Sequence, residues 1–136
     1  MNNVAKGYLD ALLWTSVYTY NENAELVQVE DAHLTYDEHD FDQCCISEME
    51  SFIKLFVSEN ADLFVEYVLA QPKAFDAESV GRHFGHDLLL TRNGEGTGFW
   101  DRGLGELGDR LTEAAKAYGS TLVDLDDDGV LIVAEG

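Results

Sequence analysis

Between Glu22 and Glu66 the chain carries 13 acidic residues and a single base, Lys54. Carboxylates in that number cannot be taken into a core, because an unpaired ion removed from water costs several kcal/mol or gives up its charge. Any fold this segment joins must keep one side of each element in solvent and draw its core from the apolar residues between the acids. The chain has enough of them: its 136 residues are 46% hydrophobic, set against a net charge of −19. A domain of that length buries roughly two thirds of its unfolded surface. Residues 1–136 are therefore expected to form a single acidic domain that needs no disulfide or metal staple. Cys44 and Cys45 are neighbours, which rarely form the ordinary bridge, and are read as reduced thiols.

Apolar spacing supplies the elements. Val4, Tyr8, Leu9, Leu12 and Leu13 predict a helix from about Asn3 to Val17. The acidic stretch after it lacks periodicity and reads as irregular, with one short strand near Leu26 to Val29. From Asp42, the stripe Ile46, Met49, Ile53 and Phe56 predicts an amphipathic helix, and ADLFVEYVLAQ a second one that Pro72 stops. Asp76 is placed to cap a short helix ending at His83. DLLLTRN and GFWD, joined by GEGT, read as a β-hairpin. Leu104, Leu107, Leu111, Ala115 and Tyr118 mark a helix closed by Gly119, and STLVDL and VLIVAE a second hairpin around DDDG. The expected class is α+β: N-terminal helices packed on a small antiparallel sheet of two C-terminal hairpins separated by a helix.

Charge narrows the function. Phosphate affinity comes from Lys and Arg that displace counterions, so direct binding to nucleic acid or to an anionic membrane is disfavoured. Asp10 interrupts what would be the apolar core of a secretory signal, and no run approaches 18 apolar residues, so a cytoplasmic protein is expected. All four arginines, Arg82, Arg92, Arg102 and Arg110, fall in one segment beside Asp87, Glu95, Asp101, Glu106 and Asp109. The excess acid is thus regional. A compact domain of this size is about 37 Å across, and the same length of duplex carries about 22 phosphates. The two inventories of charge are comparable. Glu22, Glu25, Glu30, Asp31, Asp37, Glu38, Asp40, Asp42, Glu48, Glu50, Glu59 and Asp62 are accordingly candidate partner-binding residues. The partner would be a basic protein whose nucleic-acid groove these carboxylates occupy in place of phosphates. The chain would act as a non-enzymatic inhibitor or nucleic-acid decoy. A merely solvated surface, including one adapted to high salt, has the same composition.

Three patterns resemble chemistry. Asp124, Asp126, Asp128, Gly129 and Glu135 match the letters of a calcium loop, but Gly119 ends the preceding helix early and Val130 to Val133 are strand formers, so a hairpin turn is expected. His33, His39, Cys44, Cys45, His83 and His86 lack the spacing of a zinc site, and no metal or cofactor is expected. His86, Asp87, Arg92, Trp100 and Asp101 contain a base, an orienting carboxylate and an anion clamp, the parts of a small enzyme or ligand-binding domain. No nucleophile pairs with them. The competing reading has the arginines bridging Asp87, Asp101 and Asp109, with Phe99 and Trp100 covering the core.

The stretch GHDLLLTRNGEGTGFWDRGLGELGDRLTEAAKAYG, residues 85–119, resembles the shared signature of a family of small, largely uncharacterised proteins encoded by phages and other mobile elements. The residues that carry the resemblance are His86, Asp87, Arg92, Asn93, Trp100, Asp101 and Arg102. It is close over residues 85–129 and loose before them, through the YLDALLW helix and the helix around Cys45 to Phe56. Glu95 and Thr97 stand where the family pattern has His and Ala, which leaves no turn histidine for catalysis. The resemblance implies a protein expressed inside a bacterium, where inhibitors of host nucleic-acid enzymes are common, and hence a basic host protein as the partner: a nuclease, a restriction- or CRISPR-type enzyme, or another DNA-processing enzyme. It is equally compatible with a phage accessory protein whose acid only solubilises.

Overall fold

The structure is a computed structural model that describes residues 1–125 and 131–135. Helix α1 (Asn3–Thr15) begins where the Asn2 side chain accepts the Ala5 N–H at 2.8 Å. It ends two residues earlier than its apolar stripe suggests, because Val17–Tyr20 peels away as strand β1. That tetrapeptide, VYTY, is wholly β-branched and aromatic and has little to gain from continuing a helix. A turn leads into β2 (Leu26–Gln28), the short strand expected in the acidic stretch. The stretch also forms a one-turn helix α2 (Ala32–Thr35) and a 3-10 turn over Glu38–Asp40.

Helix α3 (Gln43–Glu59) buries Cys45, Ile46, Met49, Ile53 and Phe56, the predicted stripe. Helix α4 (Ala61–Ala70) is the expected second piece, halted before Pro72. Asp76 does cap the next helix, accepting the Ser79 N–H at 2.8 Å, but α5 (Ala77–Asn93) runs ten residues past His83. The expected hairpin over residues 87–101 is therefore absent. Leu88, Leu89 and Leu90 are all buried because the C-terminal half of α5, from Phe84 onward, is enclosed on every side, and a buried stretch of helix has no polar face to betray its period. Gly94, left-handed at φ 64°, closes α5, and GFWD forms a 3-10 turn over Phe99–Asp101. Helix α6 (Glu106–Lys116) follows as predicted.

The first and fifth helices lie directly on one another. A Cβ built on Gly7 would meet the Arg82 peptide, and one built on Gly85 would lie 2.8 Å from the Tyr8 nitrogen and still closer to the Val4 carbonyl oxygen. Gly7 and Gly85 thus let two helical backbones touch. Around this contact Phe84 is ringed by Phe64, Tyr67 and Phe99, at centroid distances of 4.8, 5.0 and 5.4 Å.

Strands β3 (Thr121–Leu125) and β4 (Leu131–Glu135) pair as the expected C-terminal hairpin. The residues between them, Asp126 and Asp128 of the calcium-loop pattern and Gly129 among them, lie outside the described residues. The second hairpin is β1–β2, from the N-terminal half. β1 joins β3 in parallel, so the four-stranded sheet is mixed, in the order β2-β1-β3-β4, rather than purely antiparallel. The class remains α+β. No helix among the described residues is long and apolar enough to cross a membrane.

Candidate functional site

Most of the signature residues are fasteners. Arg92 is buried, lies 4.1 Å from the centroid of the Phe52 ring, and donates from Nε to the Gly119 carbonyl at 2.8 Å and from Nη1 to the Tyr8 hydroxyl at 2.9 Å. Asn93 donates to Ser16 Oγ at 2.9 Å and accepts the Thr121 N–H at 2.8 Å. It thereby ties the end of α5 to the starts of β1 and β3. Thr91 Oγ1 accepts the Phe99 N–H at 3.0 Å and fixes the turn after the glycines. Trp100 does not cover the core: it is 42% exposed, with Lys116 near its ring, whereas Phe99 is fully buried. Asp101 is exposed and, among the described residues, forms no ion pair with an arginine, although its charge is felt by the neighbouring Arg102. Of the bridges expected from the arginines, the one to Asp87 is present. Arg110 instead reaches Glu66, and Arg82 lies near Asp10 and Glu78.

The Asp87 bridge sits at the floor of a cleft. Asp87 is 2% exposed and takes a two-pronged contact from Arg102, the closest at 2.7 Å, plus a hydrogen bond from the Tyr67 hydroxyl at 3.3 Å. Burial and the adjacent carboxylate both push the Tyr67 phenol well above its ordinary range, while the hydrogen bond to Asp87 raises Arg102 further. The cleft is about 680 Å³, and Gln71, Phe75, His83, His86 and Leu104 complete much of its wall. His86 also stacks on Trp14, with centroids 5.8 Å apart. Its imidazole is held below the ordinary histidine range by burial, with the Asp87 charge opposing.

Of the five residues proposed as a catalytic group, the structure brings only His86 and Asp87 into this cleft; Arg92, Trp100 and Asp101 stand elsewhere. Tyr67, Gln71 and Phe75 were missed by sequence reasoning, and His83 was weighed only as a zinc ligand. A helical reading of residues 77–93 would have revealed His83 and Asp87 one turn apart on a shared face. Among the described residues, no three His, Cys, Asp or Glu side chains gather as metal ligands. Cys45 is buried, with its thiol raised chiefly by burial, and Cys44 is exposed.

The twelve acidic candidates are all exposed except Glu38, which is half-buried. Glu22 and Glu25 sit in the β1–β2 turn, Glu30 and Asp31 precede α2, and Asp42 occupies the N-cap position of α3. Asp37 and Asp40 hold the 3-10 turn in a reciprocal capping box, and Glu59 accepts a hydrogen bond from Tyr118. Among the described residues, only Asp37 of the twelve meets a basic side chain, His39 at 3.2 Å. The acids do not form one ribbon, however. Glu48 and Glu50 are two residues apart on a helix that turns about 100° per residue, so they leave α3 on opposite flanks of its buried stripe.

No protein-family model, curated protein or solved structure matches the chain.

Proposed function

We propose that this chain is a non-enzymatic acidic binding protein that docks on a basic host protein of the nucleic-acid-processing or defence kind and competes with its polyanionic substrate. The observation that carries the reading is the uncompensated charge: of twelve exposed or half-exposed carboxylates between Glu22 and Asp62, one alone has a basic neighbour among the described residues. Self-repulsion of this size weakens the compact state and is useful chiefly for solubility or for steering toward positive charge. The use of Thr91, Arg92 and Asn93 as fasteners also supports it, since it leaves the signature without a paired nucleophile and base.

The test is affinity capture from bacterial lysate at low and at high salt, with wild type and a Glu22→Lys, Glu25→Lys, Glu48→Lys, Glu50→Lys variant. Those four carboxylates make no hydrogen bond in the described fold, so reversal leaves packing intact. Nucleic-acid enzymes should be retained at low salt by wild type, released by salt, and lost from the variant. Identical, salt-indifferent capture by both proteins would refute the reading.

A second reading is favoured by one specific feature, the cleft beside Asp87. Its wall mixes aromatic and hydrogen-bonding groups, as small-ligand sites do. Ligand-induced shifts of the His86 and His83 ring resonances, with no change on acid reversal, would favour it over docking.

A further inference from the structure

The register of the sheet sorts its side chains into two faces. Val17, Val123 and Leu131 face the helices and are fully buried. On the opposite face, cross-strand pairing places Leu26 against Tyr20, and sets Gln28, Tyr18, Asp124 and Ile132 in one row across all four strands. That face is open: Tyr20 is 61% exposed, Leu26 46% and Ile132 44%, while Tyr18 and Leu122 are partly exposed. A sheet face that leaves several large apolar side chains in water around a few polar ones has the make-up of an interaction surface. Here it has an acid at its centre, Asp124, and two more at the tip of the adjoining turn, Glu22 and Glu25.

We infer that the open sheet face is the docking surface for a cationic partner whose contact side alternates apolar side chains with Lys or Arg. The inference rests on the acidic docking reading and gives it an address. Charge complementarity selects the occupant. A second copy of this chain would bring a molecule of net charge −19 against another of the same charge, and a polynucleotide would meet Asp124, Glu22 and Glu25 with phosphates. Apolar groups on the partner cover Tyr18, Tyr20, Leu26 and Ile132, and its cations reach the central and rim carboxylates. In this division of labour the apolar rows give affinity and the acids give steering and register. The carboxylates of α3 and of residues 30–42 then act at longer range.

The experiment uses the full chain and two defined probes: a short peptide alternating Lys and Leu, and an oligolysine of equal charge. Binding is followed by amide chemical shifts and by titration at two salt concentrations. The Lys–Leu peptide should shift residues of β1, β2, β3 and β4 and bind about tenfold more tightly than oligolysine. Replacing Tyr20, Leu26 and Ile132 by Thr keeps strand propensity, so the variant should fold normally and lose that advantage. Asp124→Asn should weaken both peptides and flatten the salt dependence of the Lys–Leu complex. Equal binding of the two peptides, or shifts confined to α3 and residues 30–42, would overturn the sheet assignment while leaving acidic docking in place. If neither peptide binds, acidic docking falls as well. A concentration-dependent dimer through the sheet face would also overturn the assignment.

Discussion

Replacing Gly85 with alanine inserts one methyl group where α1 and α5 touch. In an unobstructed helix interior this exchange stabilises by about 1 kcal/mol, because alanine has less backbone entropy to lose. Here the new carbon would lie 2.8 Å from both the Tyr8 nitrogen and the Val4 carbonyl carbon. Nonpolar contacts settle at about 3.5–4.0 Å, and the Val4 carbonyl oxygen would lie closer than either of these atoms, so the helices must part by more than about 1 Å. The obstructing atoms are backbone, which no rotamer change can move aside. Parting loosens a contact that buries Tyr8, Leu12, Phe84 and Leu88. Overpacking costs typically about 1–3 kcal/mol and occasionally more, and an obstruction made of backbone sets this site at or above the top of that range, which exceeds the propensity gain. A net loss of about 2–4 kcal/mol follows, a large share of the roughly 5–15 kcal/mol that holds an ordinary domain. Urea denaturation followed by far-UV circular dichroism should show the midpoint falling by about 1–2 M with an unchanged slope. Gly94→Ala is the control: nothing lies within 4 Å of its Cβ, and its φ of 64° makes alanine cost only about 1 kcal/mol. A Gly85→Ala protein that melts at or above the wild-type midpoint would refute the close-contact argument.

Two further predictions follow from the cleft. Arg102→Ala strands the Asp87 carboxylate, which is nearly inaccessible to water, and should cost about 2–3 kcal/mol in urea melts, less than a fully buried pair because the Arg102 side chain is 41% exposed; Arg102→Lys, which keeps the charge but not the fork, should fall between it and wild type. His86 is held below the ordinary histidine value of about 6.5 by burial, so protons bind the unfolded chain more readily than the folded one. Stability should therefore decline as pH falls below about 6.5, and His86→Gln should flatten that slope; an unchanged pH profile would show that His86 is not the group responsible.

Much of the helical architecture was legible because it rests on local periodicity. Ile46, Met49, Ile53 and Phe56 repeat at helical spacing, and all four are buried on α3. The same logic located α6, the break between α3 and α4, and the C-terminal hairpin. It failed over Leu88–Leu90, where burial on all sides erased the amphipathic signal and the following glycines, in truth the end of a helix, read as the turn of a hairpin. The candidate site suffered from that error. His83, His86 and Asp87 share a helical face only once the segment is known to be a helix, and Tyr67, Phe75 and Arg102 join them from other elements.

What the sequence determined by itself was the sign and regional placement of the charge, the apolar stripes and the caps, since each depends on residues within a few positions of one another. What only the tertiary structure decided was which strands pair and which faces stay open. Val17 finds Val123 across more than a hundred residues, and that pairing turns an N-terminal VYTY and a C-terminal hairpin into one sheet. Pairing at such a distance is chosen by shape and burial in the assembled core, where Gly7 and Gly85 let two helices meet. No local spacing in the chain encodes the result.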